Sequence, residues 1–405
     1  MLKKPIINTG FQILGKIVTV GLSLVTTAVL TRKLGSEVYG NYLLITSVWL
    51  LLDAAADFGS RVMGVREAAA VGDRDKKNRI YVQVAWFRLI ASLTGLIVGL
   101  GIIWWWPGFE GIEMEALVAL LMIGLTATAG SLEIIFQTEM KMGFKVMMDV
   151  LFPLVFAAAL MMAGEVNLLW VSGVYLAARA ISLGVGLGVV KKVTGKIKLS
   201  GPDGNYIKKF LKLTWPMGLY MVLFSGYDRA VDSALIKQLI GAKDLAFYGL
   251  AYKIYGNLIQ PAYFLINSVF PIMSGKEGNK KRLFWQTAGL MLSGAVVVGA
   301  GTYFLAPWVV GILGGQDYKP AVTVLRILMP AMAAAYVGHL VGFTLIARGK
   351  QKQILVVGII SLVINIVGNL IFIPRFGING AAWVTVATEV GASLLMVGLL
   401  RRDIR

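Results

Sequence analysis

The sequence predicts an all-α membrane protein, and three observations carry that prediction. Apolar runs of about 20 residues recur from one end of the chain to the other, the length a helix needs to cross about 30 Å of hydrocarbon. Of the 405 residues, 57% are hydrophobic and 15% charged, too little polar surface for a water-soluble fold of that size. The Lys and Arg of the intervening loops alternate between dense and sparse. The spans are helices and not barrel strands, because the runs are long and do not alternate in polarity, and every backbone amide in lipid must be bonded internally.

Counting the runs gives twelve, near residues 10 to 31, 38 to 56, 80 to 104, 114 to 136, 147 to 163, 167 to 190, 213 to 236, 246 to 272, 285 to 311, 321 to 346, 354 to 373 and 379 to 400. The first follows Lys3 and Lys4 but has full spanning length and lacks a convincing small-residue cleavage site, so it reads as a retained helix. The third ends in Trp104-Trp105-Trp106, an interfacial aromatic belt. The sixth carries Gly184, Gly186 and Gly188, a close-packing face with no strand-turn-helix context that would make it a dinucleotide fingerprint. The seventh contains Pro216 and Gly226, where a helix can bend.

Orientation follows from the loops. The N-terminus and segments 57 to 79, 137 to 146, 191 to 212, 273 to 284, 347 to 353 and 401 to 405 hold 27 Lys and Arg, and the opposite side holds six: Arg32, Lys33, Lys237, Lys243, Lys319 and Arg375. Both termini are therefore expected in the cytoplasm, with the protein in the cell (inner) membrane. This dispersal also accounts for most of the +18 net charge and argues against nucleic-acid binding, which would gather the bases into one patch. With no cysteine and one histidine, His339, the chain offers no disulfide, thiolate metal site or His-based triad. No loop exceeds about 22 residues, too short for a soluble catalytic domain. No cofactor and no enzymatic activity are expected. Asp73 and Asp75, in a basic loop, read as a solvated turn.

The longest loop, about 191 to 212, contains Ser200-Gly201-Pro202-Asp203-Gly204 and reads as a linker between a six-helix lobe at 1 to 200 and another at 201 to 405. Six spans on each side fit a parallel duplication. Leu34-Gly35-Ser36-Glu37-Val38-Tyr39-Gly40 after the first span is echoed by Gly241 to Gly249 after the seventh, and Asn167-Leu168-Leu169-Trp170 by Asn379 to Trp383.

The run Thr31-Arg32-Lys33-Leu34-Gly35-Ser36-Glu37-Val38-Tyr39-Gly40-Asn41-Tyr42, Asp57-Phe58-Gly59 with Val65-Arg66-Glu67-Ala68-Ala69, and Ile373-Pro374-Arg375-Phe376-Gly377-Ile378-Asn379-Gly380-Ala381-Ala382 resemble the polysaccharide-biosynthesis (Wzx-type) flippases of the multidrug/oligosaccharidyl-lipid/polysaccharide exporter superfamily. The resemblance spans the whole chain in span count and loop placement. It implies a V-shaped transporter with two six-helix lobes around a central cavity, moving a polyprenyl-diphosphate-linked oligosaccharide from inner to outer leaflet. Its partners would be that lipid-linked oligosaccharide and membrane lipids, with a polysaccharide polymerase and glycosyltransferases as further candidates. The residues of these motifs also have plain structural readings: Gly35, Gly40, Gly377 and Gly380 suit tight turns, and Arg32, Lys33 and Arg375 suit helix ends.

Function is better sought in charges inside spans, since each costs several kcal/mol there unless it faces a partner or a wet cavity. The bases are Lys16, Arg88, Arg179, Arg229, Lys253 and Arg326; the acids are Asp53, Glu133, Asp149, Asp228, Asp232 and Glu389. Arg88 and Arg179 lie deepest, and with Lys16, Lys253 and Arg229 they are the candidates for a substrate diphosphate, which a guanidinium meets with a planar fork of donors. Structural ion pairs with the in-span carboxylates are the competing account. Tyr227-Asp228-Arg229 and Asp232 form the densest cluster, in which Arg229 reaches Asp232 at i, i+3. Asp232, Asp228 and Glu389 are the candidates for carrying a coupling ion, proton or sodium. The function these expectations support is an ion-coupled, alternating-access flippase for surface polysaccharide assembly; the alternative is a cation-coupled exporter of amphipathic small molecules.

Overall fold

The computed structural model describes residues 3–195, 198–226, 230–274 and 280–402, which are helical apart from short connections, with no strand among them. Eight of the helices are long and apolar enough to cross a membrane, and the protein is a multi-pass membrane protein. The chain divides into two compact units, Met1–Gly35 with Ile45–Ser225 and Ser36–Leu44 with Gly226–Arg405.

In the first unit, α1 (Lys3–Asp57) is broken at Gly35, whose φ of 72° and ψ of 172° lie where only glycine sits without strain. An unbroken helix of 55 residues would be roughly 80 Å long, far more than one bilayer needs. A second break, at Phe58 (φ 42°) and Gly59 (φ 75°), leads into α2 (Ser60–Ala69). Next come α3 (Arg74–Trp105), α4 (Glu113–Leu120), α5 (Met122–Thr138), α6 (Met142–Met162), α7 (Leu168–Thr194) and α8 (Gly204–Ser225). Asp73, expected in a solvated turn, caps α3 by accepting from the Lys76 amide at 2.8 Å. Asn167 likewise caps α7 through the Trp170 amide. Lys33 donates to the carbonyls of Ala163 and Gly164 just past the end of α6, the terminus at which a cation is favoured.

The described part of the linker is tied down. On α3, Gln83 Nε2 donates to the Gly201 carbonyl at 2.9 Å, Trp86 Nε1 to the Ser200 carbonyl at 2.8 Å, and Arg79 pairs with Asp203 at 3.0 Å. Asp203 also accepts the Asn205 and Tyr206 amides at the start of α8, and those backbone donors are the main cause of a carboxyl pKa below the usual range.

The second unit contains α9 (Val231–Ile240), α10 (Ala242–Ser274), α11 (Lys280–Gly314), α12 (Pro320–Ile327), α13 (Met329–Ala347) and α14 (Gln351–Arg402). Gly241 (φ 108°) separates α9 from α10, and Gly377 (φ 58°) breaks the 52-residue α14. Residues 36–44 belong here because Tyr39, fully buried, packs edge-on to Tyr318 with centroids 6.3 Å apart, and Lys237 Nζ donates to Asn41 Oδ1 at 2.6 Å. Gly40 and Gly380 do not serve turns as expected: each lets backbone approach so closely, against Ala242 and Phe372 respectively, that a Cβ would collide.

The two units repeat local details. A 3-10 turn at Pro107–Phe109 precedes α4, which breaks at Leu121 before α5; one at Gln316–Tyr318 precedes α12, which breaks at Leu328 before α13. The sequence predicts continuous spans at both places, since each break falls within a long apolar run.

Candidate functional site

Two buried polar centres stand out, one in each unit. The first lies where the end of α1 meets α2, α3, α5, α6 and α7. Arg88, on α3 and 1% exposed, forms an ion pair with Asp57 and donates to Ser60 Oγ at 2.7 Å and the Ala127 carbonyl at 2.8 Å. Its guanidinium occupies the space that a side chain on Gly130 would fill. Arg61 reaches Asp57 at 2.9 Å, Glu133 at 3.3 Å and Asp53 at 4.0 Å, and Lys145 reaches Asp149 at 2.5 Å and Glu133 at 3.9 Å. Thr126 Oγ1 donates to Asp53 Oδ1 at 2.5 Å. Burying these carboxylates is tolerable because each is paired and hydrogen-bonded.

Arg179, on α7, differs. It enters none of the ion pairs among the described residues, its Nε is buried without a hydrogen-bond partner, and its guanidinium carbon lies 5.5 Å from the centre of the Phe152 ring. Tyr175, one turn back, is met edge-to-face by Phe152 and Phe156 at 4.9 Å each and by Trp49 at 6.1 Å. The Trp49 Nε1 is likewise buried without a partner. Pro153 in α6 removes the donor that would bond the Asp149 carbonyl, loosening the helix beside these rings.

The second centre is built on Asp232, in the first turn of α9 and 1% exposed. Tyr248 Oη donates to its Oδ2 at 2.5 Å, Asn369 Nδ2 to its Oδ1 at 2.7 Å, and Thr385 Oγ1 to Oδ2 at 3.5 Å. Asn369 Nδ2 also lies 3.2 Å from Asn365 Oδ1, and Asn369 Oδ1 is buried with no partner. Six side-chain oxygens, those of Asp232, Tyr248, Asn365, Asn369 and Thr385, thus gather on one turn of α9, one of α10 and both halves of α14. Such a set suits a proton, which the carboxyl can take, or a hard cation, which oxygens ligate.

The structure therefore brings Asp232 and Arg179 into built environments and gives Arg88 a buried acid partner, Asp57. The sequence reading missed Asp57, Arg61 and Lys145, which it placed in cytoplasmic loops; the spacings Asp57 to Arg61 and Lys145 to Asp149, both i, i+4, were the available signal. It also missed Tyr248, Asn365, Asn369 and Thr385, neutral residues that carry no charge anomaly to find. Lys16 is exposed, and Lys253 and Glu389 are half-buried on α10 and α14, each with partners of its own. Arg326 donates to the Tyr303 carbonyl at 3.0 Å and lies over that ring. Asp228 and Arg229 lie outside the described residues.

The fold matches solved transporter structures. A structure described as lipid II flippase MurJ in an inward closed conformation shares 14% identity at a TM-score of 0.79, covering 96% of this chain and 87% of that one. An inward-facing multidrug resistance MATE family transporter of the MOP superfamily shares 16% at 0.80, covering 96% and 94%. A MOP superfamily transporter from Pyrococcus furiosus, described as having a binding pocket of reverse polarity, shares 15% at 0.62, covering 98% and 93%. No curated protein matches the chain. The family described as polysaccharide biosynthesis protein matches residues 6–277, about two thirds of the sequence. The fold is shared with these solved transporters, and the chain belongs to the polysaccharide biosynthesis protein family.

Proposed function

We propose that the protein moves a polyprenyl-diphosphate-linked oligosaccharide from the inner to the outer leaflet of the cell membrane, supplying surface polysaccharide assembly. The observation that carries this reading is the family match over residues 6–277 on a chain whose fold is that of membrane transporters. The site chemistry agrees with it. A diphosphate must take its charge through hydrocarbon, and Arg179 offers a guanidinium that no protein carboxylate in the described residues claims at ion-pair distance. Arg88, already held by Asp57, Ser60 and a backbone carbonyl, is given the role of organising the packing around it.

In the same reading the ion that drives transport is taken at Asp232, with Asn365, Asn369, Thr385 and Tyr248 as the surrounding groups. Binding a cation or proton there changes which hydrogen bonds the four helix segments can make, and so biases the second unit between states, as coupling requires. Topology with both termini cytoplasmic completes the proposal.

Deleting the gene tests it: lipid-linked glycan should accumulate on the inner leaflet and surface polysaccharide should disappear. Normal polysaccharide alongside new sensitivity to amphipathic drugs would instead favour the exporter.

A further inference from the structure

Arg179 and the rings around Tyr175 are the least satisfied group in the first unit. A guanidinium in mid-span does not face hydrocarbon, where it would cost several kcal/mol, so its open side faces water or cargo. Buried donors are almost always bonded in native proteins, yet Arg179 Nε and Trp49 Nε1 both lack an acceptor. Phe156 is 2% exposed and backs the group, while Trp49, Phe152, Tyr175 and Arg179 are only half-buried and leave ring surface and a charged edge available. Glu133 and Asp149 feel the charge of Arg179 but lie beyond ion-pair distance of it, being engaged directly by Arg61 and Lys145.

We propose that Trp49, Phe152, Tyr175 and Arg179 form a subsite for the junction of charge and sugar in the cargo, with Arg179 taking an anionic oxygen and the rings taking the face of the adjoining sugar ring. This rests on the flippase reading. Sugar rings present apolar C–H faces that pack on aromatic rings, while their oxygens need donors at the edge; a half-buried aromatic group with orphaned N–H donors supplies both. A bare lipid diphosphate would use the guanidinium but leave the rings idle, and an amphipathic organic cation would be repelled by it. The anionic oxygen has two sources, the diphosphate itself or an acidic substituent on the sugar. Phe152 and Tyr175 are then specificity residues, reading that a sugar is attached before transport.

The purified protein in detergent can be titrated calorimetrically with farnesyl diphosphate, with farnesyl-diphosphate-linked N-acetylglucosamine, and with the latter in the presence of free glucuronate. Phe152→Leu should weaken the sugar-bearing probe about tenfold and the sugar-free probe distinctly less. Arg179→Gln should weaken both probes about tenfold if the diphosphate is read; if an acidic sugar is read, it should keep both affinities and lose only competition by glucuronate. Thermal midpoints close to wild type are expected for both variants. Should Arg179→Gln not fold, Arg179→Lys keeps the charge, and a loss of about threefold from the missing planar fork supports the proposal. The proposal is overturned if wild type binds the diphosphate probes and Phe152→Leu and the folded Arg179 variant match it in all three titrations. Failure of wild type to bind either diphosphate probe would instead remove the flippase reading itself.

Discussion

The two buried polar centres solve one problem in different ways. In the first unit, carboxylates inside the bilayer are held by guanidinium and ammonium groups: Asp57 by Arg88 and Arg61, Glu133 by Arg61 and Lys145, Asp149 by Lys145. In the second, the partners of Asp232 among the described residues include a phenol, an amide and an alcohol. A carboxylate paired with a buried guanidinium is locked in its charged form, because removing either charge strands the other. One surrounded by hydrogen-bonding groups that can each donate or accept tolerates a change of occupant. In the proposed reading, the first centre holds helices together and the second binds and releases an ion.

The comparison is most easily broken at Asp57. Asp57→Asn should leave Arg88 buried without its counter-charge and destabilise the protein by about 3–5 kcal/mol, read as a lowered thermal midpoint in detergent. Adding Arg88→Met to that variant should recover most of the loss. A stable Asp57→Asn variant would show that the pair does not hold the helices. By contrast, Asp232→Asn should keep the fold, costing about 1–2 kcal/mol, because Tyr248 and Thr385 can reorient their hydroxyls toward an amide. A collapse as large as that of Asp57→Asn would erase the distinction between the centres.

Gly130→Ala sharpens the packing side of the argument. Its Cβ would enter the space of the Arg88 guanidinium, which three partners hold in place, so a loss of about 1–3 kcal/mol in thermal unfolding is expected. An unchanged midpoint would mean that Arg88 is free to move.

The smallest effect concerns a carboxylate outside the membrane. Asp203 has a pKa lowered chiefly by the Tyr206 amide, so its contribution is present above its unfolded value, about 3.9, and is lost as pH falls through the lower folded value. Protection factors at Asn205 and Tyr206, which correct for the intrinsic exchange rate, should therefore be higher than in Asp203→Asn near neutrality and fall to the variant's level below about pH 4. Equal protection in both proteins near neutral pH would contradict the docking of the linker.

Much of this was legible in the sequence. Runs of spanning length, the loop charge split and the glycines at 35 and 377 follow from bilayer thickness and backbone sterics, which act locally along the chain. Asp232 stood out in the sequence as a member of the densest cluster of in-span charges, with Asp228 and Arg229. What surrounds it did not: Asn365, Asn369 and Thr385 are unremarkable in composition, and only folding brings them to Asp232 across more than 130 positions. Arg88 illustrates the converse. Its depth was evident, but its partner sits at the end of α1, where the sequence reads as water-exposed loop. The offset at Leu121 falls within an apolar run with no proline beside it, whereas Pro330, at the start of α13, was an available mark of the break at Leu328.

Transport by reconstituted protein tests the central claim most directly. Proteoliposomes loaded on one leaflet with a fluorescent lipid-linked oligosaccharide, under an imposed proton or sodium gradient, should show gradient-dependent translocation with wild type. Asp232→Asn, with binding intact, should lose the dependence on the gradient. Translocation by Asp232→Asn that still follows the gradient would contradict ion coupling at this centre, and the absence of any translocation by wild type would contradict the flippase itself.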